Sequence, residues 1–258
     1  MKTLDLFNPF GAPVYFEESV SSTMDISRQL AATDKPHGTV IMAGYQESGR
    51  GRGFNTSWEM EKGQNLSFTV LLRFQKNEMF TSPLTLRVGL AVSLAIEDFL
   101  PCLKNKVFVK WPNDIIINDK KAAGILCETD KGVIYLGIGI NTIQRKFSDH
   151  LKNATSLSLA ANLEIFPDEM FLLLEKILIR LHQEIKDDET TMAAQNWNPK
   201  LTNRLYKKDK QIVFIEGASN SGAEIKGTLI GIGNNGEILI LPAGEQEPRS
   251  FFTGKLEF

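Results

Sequence analysis

Val107-Phe108-Val109-Lys110-Trp111-Pro112-Asn113-Asp114-Ile115-Ile116-Ile117-Asn118-Asp119 is the stretch on which the reading of the fold turns. Val107 to Lys110 and Ile115 to Ile117 are short apolar runs of strand length. Asn118-Asp119 supplies the turn that leads out of the second run. Further strands follow at Ala123 to Glu128 and Val133 to Ile140. Working back toward the N-terminus, Thr39 to Ala43 reads as a short buried strand. Asn65 to Leu72 alternates for part of its length and reads as another. A helix is expected from Ser82-Pro83, with Ser as N-cap and Pro at the first helical position. Leu84, Val88, Ala91, Ala95 and Phe99 form its apolar face, and Pro101 ends it. From Pro167 the period is helical again: Met170, Leu173, Leu174, Ile177, Leu178 and Leu181 make one stripe, read as core packing. After about Tyr206 short strand candidates return at Gln211 to Ile215, Glu224 to Ile232, Glu237 to Leu241 and Ser250 to Phe252. Asn234-Asn235-Gly236 and Ser221-Gly222 give turn signals between them. The pattern predicts an α+β fold, a mixed β-sheet flanked by helices with a small β-barrel appended.

The 258 residues suit one large domain or a large and a small one. With 42% hydrophobic and 23% charged residues and a formal net charge of -2, the composition is that of an ordinary globular protein without the basic excess of a nucleic-acid binder. Cys102 and Cys127 form no CxxC, which argues against a disulfide framework and for a reducing, cytoplasmic setting. The N-terminus lacks an apolar run long enough for a signal peptide, and Glu97 and Asp98 interrupt the apolar helical stretch from Val88 to Leu100, so no membrane span is expected. His37, His150 and His182 are scattered, which makes a dedicated metal site improbable.

Three motifs carry chemistry. Gly49-Arg50-Gly51-Arg52-Gly53 alternates glycines with arginines. Its backbone N–H groups can form an anion nest, and its guanidiniums can grip carboxylate or phosphate with two hydrogen bonds each. A solvated basic turn is the plain alternative. Lys110, Asp114 and Lys121 place three charges within twelve residues of strong strand pattern, where charges are rare unless paired or functional. Gly137-Ile138-Gly139-Ile140-Asn141 has alternating glycines in a strand, a mark of close approach by a ligand or by another backbone.

In this order and at this spacing, the strings Gly-Arg-Gly-Arg at 49–52, Lys-Trp-Pro-Asn-Asp at 110–114, Lys-x-Ala-Gly-Ile from Lys121 and Gly-Ile-Gly-Ile-Asn at 137–141 closely resemble the biotin–protein ligases, over Ser21 to Phe258. The resemblance implies a biotin- and ATP-binding catalytic domain at 1–205 and an SH3-like β-barrel at 206–258. It implies a two-step reaction. A biotin carboxylate attacks the α-phosphate of ATP, brought with Mg2+, to give biotinyl-5'-AMP and pyrophosphate. A lysine of a biotin carboxyl carrier protein, part of acetyl-CoA carboxylase or a related biotin-dependent carboxylase, then displaces AMP. Such chemistry needs positioning and charge stabilisation rather than a nucleophile from the enzyme.

By the same resemblance, Ser22, Thr23 and Gln46 bind the biotin ureido ring; Ser22 and Thr23 also read as a helix N-cap. Met24 stands where the family often has Asn and acts through its backbone. Gly49, Arg50, Gly51 and Arg52 cover biotin and its adenylate. Lys121 contacts the reacting carboxylate and α-phosphate as the main electrostatic catalyst, with Arg52, Lys110 and Asp114 beside it. Asp114 is expected to hold a lysine or the metal. Trp58, Asn113 and Asn141 fall with Lys110 on the ATP side, Trp58 and Asn141 toward adenine. Gly124, Gly137 and Gly139 leave room for biotin. Ser57 stands where the family often has a basic residue, and the stretch from Arg52 to Trp58 is one residue longer than a common form. The roughly twenty residues before Ser21 are too few for the helix-turn-helix domain of repressor-type members, so no sequence-specific DNA binding is expected. A lipoate–protein ligase and a non-catalytic biotin sensor are the rival readings. A homodimer is open to this chain, and the strand edges near Val133 to Asn141 are the candidates for pairing across subunits.

Overall fold

The computed structural model describes residues 1–53, 56–73, 84–186, 197–217 and 222–257. Eight strands, β1 (Lys2–Leu4), β2 (Val14–Glu17), β3 (Thr39–Ala43), β4 (Asn65–Arg73), β5 (Val107–Lys110), β6 (Asp114–Ile117), β7 (Lys120–Asp130) and β8 (Val133–Asn141), form one sheet in the order β1-β2-β3-β4-β8-β7-β6-β5. β2 and β3 run parallel and are joined by helix α1 (Thr23–Ala31), the crossover that a parallel pair requires. The remaining pairs are antiparallel. Asn118 and Asp119 both take positive φ (51° and 59°), and Lys131 and Gly132 do the same (48° and 79°). These are the backbone conformations of the two-residue turns that join β6 to β7 and β7 to β8.

The register of β8 decides what each face of the sheet carries. Ile134, Leu136, Ile138 and Ile140 point into the main core. That core is covered by α2 (Leu84–Phe99), against which α4 (Glu169–Lys186) packs. The α4 stripe expected from sequence, Met170 to Leu181, is buried throughout. On the opposite face Val133 and Tyr135 pack with Met24 of α1, and then Gly137 and Gly139 carry no side chains of their own. The predicted start of α2 at Ser82-Pro83 lies outside the described residues; the helix is described from Leu84. The short helices α3 (Leu157–Ala161) and α5 (Trp197–Thr202) complete the helical set.

Beyond Tyr206, β9 (Gln211–Glu216), β10 (Glu224–Ile232), β11 (Ile238–Pro242), β12 (Arg249–Phe251) and β13 (Gly254–Leu256) form a five-stranded antiparallel sheet in the order β12-β11-β10-β9-β13. Four of these match expected strands to within a residue or two; β13 was not expected. The small sheet is fastened to the large one at Trp111, whose Nε1 donates to Gly236 O (2.9 Å) and whose ring lies 6.0 Å from that of Phe214. The outer edge of β5 is also covered: Val109 N donates to Arg204 O (2.8 Å) and Tyr206 N donates to Val109 O (2.9 Å). One expectation is corrected here. β8 is paired along its length with β4 on one side and, from Val133 to Ile140, with β7 on the other, so its edges have no free backbone groups for a second subunit.

Candidate functional site

The face of β8 that carries Gly137 and Gly139 is the floor of a cavity of about 890 Å³. Its walls bring together most of the residues singled out from sequence: Ser22, Thr23, Met24, Gln46, Arg50, Gly51, Arg52, Trp58, Lys110, Asn113, Asp114, Lys121, Gly124, Gly137 and Gly139. Gly49 and Asn141 do not line it.

One end of the cavity is polar and closely hydrogen-bonded. Ser22 is the N-cap of α1 and accepts from Met24 N (3.3 Å). Gln46 Oε1 accepts from both the N–H (2.8 Å) and the hydroxyl (3.1 Å) of Thr23. The Thr23 hydroxyl in turn accepts from Thr69 (2.8 Å) on β4. Both threonine hydroxyls are therefore oriented before any ligand arrives. Thr69 was missed from sequence. Its signal was present: Ser67 and Thr69 are polar residues two apart in an apolar strand, so they share one face.

The arginine loop is a small hairpin. Trp58 N donates to Gly49 O (2.8 Å) and Gly51 N to Thr56 O (2.9 Å). Of the three loop glycines only Gly53 has positive φ (98°). Gly49 is glycine for another reason: a Cβ there would sit 2.5 Å from the carbonyl oxygen of Trp58. Gly49 thus closes the hairpin rather than touching the cavity. Arg50 Nη2 donates to Asp25 on α1 (2.8 Å), and Arg28 donates to the same carboxylate (3.1 Å). Arg52 reaches the small sheet, with Nη1 3.5 Å from Gly254 O and its guanidinium 5.9 Å from the Trp111 ring centroid. Partial burial of that guanidinium lowers its pKa, while Asp114 opposes the shift. Arg52 as a residue is exposed, so water screens much of this and it stays a cation.

Trp58 seats its indole on the glycine floor. A Cβ at Gly139 would come within 2.4 Å of Cε2, and one at Gly124 within 3.3 Å of Cζ3. The sequence reading put Trp58 toward adenine; here its indole lies over glycines expected to make room for biotin. Asn141 is also placed differently. Its Oδ1 accepts from Asn65 (2.9 Å) and its Nδ2 donates to Thr155 O (3.0 Å), so the buried side chain already uses both ends of its amide internally. Asn113 lines the cavity and brackets Ile125, donating from Nδ2 to Ile125 O and accepting at its own carbonyl from Ile125 N, both at 2.9 Å.

The charged end gathers around Asp114. Lys121 Nζ lies 2.7 Å from Asp114 Oδ1 and forms an ion pair with it. The Lys121 backbone is held by the loop before α3, donating to Asn153 O (2.6 Å) and accepting from Thr155 N (2.9 Å). Lys110, opposite Asp114 in the β5–β6 register, is only 4% exposed. Burial lowers its pKa to about 8; Asp114 opposes the shift, and Lys121, Lys255 and Lys207 add to it. Trp58 Nε1 and Ser67 Oγ are buried without partners, and Ser67 is the cross-strand neighbour of Gly139.

One face of the mixed sheet thus carries an oriented polar cradle at one end, a cation cluster at the other and a tryptophan-bearing hairpin above them. Residues 16–142 match the biotin/lipoate A/B protein ligase family. The bifunctional ligase/repressor BirA of Bacillus subtilis (strain 168) is 37% identical over 164 residues, 60% of this chain and 49% of that protein. BirA of Escherichia coli (strain K12) is 27% identical over 217 residues, 82% of this chain and 64% of that one. The chain thus spans about half the length of its Bacillus relatives. Among solved structures, the biotin protein ligase from Aquifex aeolicus in complex with biotin and ATP superposes with a TM-score of 0.78 at 26% identity, over 95% of this chain and 97% of that one. Among the described residues, no helix is long and apolar enough to cross a membrane.

Proposed function

We propose that this chain activates biotin with ATP, as the Mg2+ complex, to biotinyl-5'-AMP and transfers the biotinyl group to a lysine of a biotin carboxyl carrier protein. The observation that carries the reading is the placement of the Lys121–Asp114 pair at the same cavity as the Ser22, Thr23 and Gln46 cradle, with the Gly137 and Gly139 floor between cradle and charge. The cradle offers hydroxyls and an amide to a ureido ring, which both donates and accepts. The side-chain-free strand at Gly137 and Gly139 makes room for a bicyclic ring and a flat chain when the Trp58 indole, which lies on Gly139, swings aside. The carboxylate then lies at Lys121, which holds it against the α-phosphorus and stabilises the charge that builds up on the phosphoryl oxygens. A carboxylate oxygen forms the new bond to phosphorus as the bond to the β-phosphate breaks. In the second step the carrier amine attacks the acyl carbon and AMP leaves. Arg50 and Arg52, on the hairpin, shield the mixed anhydride from water.

Lys121 pairs with Asp114, so Asp114 serves to hold the lysine in position. Residues 1–205 are the catalytic unit in this reading and 206–258 an SH3-like barrel. Support for the barrel comes from connectivity. β12 and β13 lie at opposite edges of the small sheet, yet only Phe252 and Thr253 separate them in sequence. A flat five-stranded sheet would put those edges ~19 Å apart, against the ~11 Å that the connection can span. The sheet must curl.

Incubating the protein with ATP, Mg2+ and either biotin or lipoate, and reading the acyl adenylate by mass spectrometry, tests the assignment. Biotinyl-AMP is the expected product. Lipoyl-AMP in its place would transfer the chain to the lipoate branch of its family, and no adenylate with either acid would favour a sensor.

A further inference from the structure

We propose that Asn65, on β4, is a positioning residue for Lys121: through Asn141 and Thr155 it fixes the backbone that presents the lysine to the reacting carboxylate. The inference rests on the reading above and adds to it a residue that does not itself line the cavity.

Asn65 is 1% exposed and lies on the same face of β4 as Ser67 and Thr69, directly opposite Asn141 in the β4–β8 register. Its amide is fully used. Nδ2 donates to Asn141 Oδ1 and to Gln144 Oε1, both at 2.9 Å. Oδ1 accepts from Glu61 N (3.0 Å), in the chain that leaves the hairpin. Asn141 Nδ2 carries the link on to Thr155 O (3.0 Å), and Gln144 Nε2 donates to Lys146 O (2.8 Å). Thr155 N then donates to Lys121 O (2.9 Å), while Lys121 N donates to Asn153 O (2.6 Å). The lysine backbone is thus held by residues 153–155. That loop is held by Asn141, and the amide of Asn141 is oriented by Asn65.

The three amides have one self-consistent orientation. Each nitrogen faces an oxygen, and turning any of them over would set like against like. Asn141, Gln144 and Thr155 are buried, so water does not repair a broken link. Buried amides stabilise a fold little more than apolar groups of the same shape; what they add is a single geometry. Lys121 needs that geometry. Its ammonium has to meet a carboxylate and an α-phosphate together, and a displacement of about 1 Å at such a position costs on the order of 100-fold in rate. The pair with Asp114 fixes the tip of the side chain, and the route from Asn65 fixes its base.

The test is a double-mutant cycle in the full chain, combining Asn65→Asp with Lys121→Ala. Two quantities are read: the single-turnover rate of biotinyl-AMP formation, and amide hydrogen exchange by NMR. Asp keeps the shape of Asn but sets oxygen against Asn141 Oδ1 and Gln144 Oε1. Asn65→Ser, which adds no acid to the interior, carries the same cycle if the Asp variant fails to fold. With Lys121 present, either substitution should lower the rate by about 10- to 100-fold. The dissociation constant for biotin should stay within about threefold, because the cradle meets β4 at Thr69 rather than at Asn65. In the Lys121→Ala background the same substitution should cost less than about threefold, since no ammonium is left to position. Exchange at the Lys121 and Thr155 amides should quicken about tenfold, the scale of one lost hydrogen bond, with Thr23 unchanged. An equal loss of rate in both backgrounds would make Asn65 a general structural residue and overturns the proposal. So does unchanged exchange at Lys121 and Thr155. If the parent forms no biotinyl-AMP while exchange at those two amides still quickens, Asn65 stands as the residue that positions Lys121 and biotin is the wrong acid.

Discussion

Gly139→Ala places a methyl group where the Trp58 indole now lies, 2.4 Å from Cε2 and 2.8 Å from both Cζ2 and Nε1. Real contacts of this kind do not occur, so one partner must move. Gly139 is in the middle of β8, paired on both sides, and its φ is not in the positive range. The strand tolerates alanine, and the indole leaves. A buried tryptophan covers about 150–250 Å². Trp58 is half-buried, so roughly 100 Å² is forfeited, worth about 2.5 kcal/mol at 25 cal/mol per Å². On a hairpin, that shifts the closed-to-open ratio by roughly 60-fold, at tenfold per 1.4 kcal/mol. The readout is intrinsic fluorescence. Of the three tryptophans, Trp111 and Trp197 are 3% and 4% exposed, so a change on substitution reports Trp58. We expect a red-shifted emission, stronger quenching by acrylamide and faster release of preformed biotinyl-AMP, with the melting temperature within a few degrees of the parent. An unaltered spectrum and unaltered quenching would show that Trp58 does not rest on Gly139, and the account of the floor would fail with it.

Lys121→Ala should lower adenylate formation by about 10²–10³-fold, the loss typical of one preorganised charge-stabilising donor, while circular dichroism stays native; single-turnover rates check it. Arg52→Gly opens the hairpin at its contact with Gly254, and biotinyl-AMP should escape to label bystander lysines, scored by labelling of an added inert protein. Lys110 gives a pH signature. Its pKa in the fold, about 8, is below its unfolded value, so the protonated form is disfavoured by folding. The resulting destabilisation is full below pH 8 and is relieved as pH rises from there toward the ordinary lysine range. Lys110→Met should therefore be more stable than the parent near neutral pH, with the difference shrinking above pH 8 in chemical denaturation. For catalysis the sign is opposite: kcat/KM for ATP should fall above about pH 8, and Lys110→Arg should remove that limb.

The strands from Val107 to Asn141 and the α4 stripe were legible because buried strands are apolar runs and a buried helix repeats its apolar residues every three to four positions. The cation cluster was legible because Lys110, Asp114 and Lys121 are charges in strands. Asn141 was expected on the adenine side, but it does not line the cavity. A motif shows which side chain is present, but not whether its polar ends are already satisfied; Asn65 and Thr155 O, far apart in sequence, take up the amide of Asn141. Gly49 was read as an anion contact, whereas its constraint comes from the carbonyl of Trp58, nine residues on. Lys255 left no trace, because Gly-Lys-Leu in a three-residue strand looks like any surface segment until the small sheet is docked beside Lys110.

The cover on β5 has a practical consequence for anyone dividing this protein. Arg204 and Tyr206 occupy the backbone groups of Val109 that would otherwise form an open, apolar sheet edge at Val107 and Val109. A fragment ending before Arg204 would present that edge to other copies of itself, and exposed edges of this kind seed aggregation. Cutting after Tyr206 would keep the guard in place. The stretch from Arg204 to Tyr206 is therefore a poor site for a tag, an insertion or a fusion.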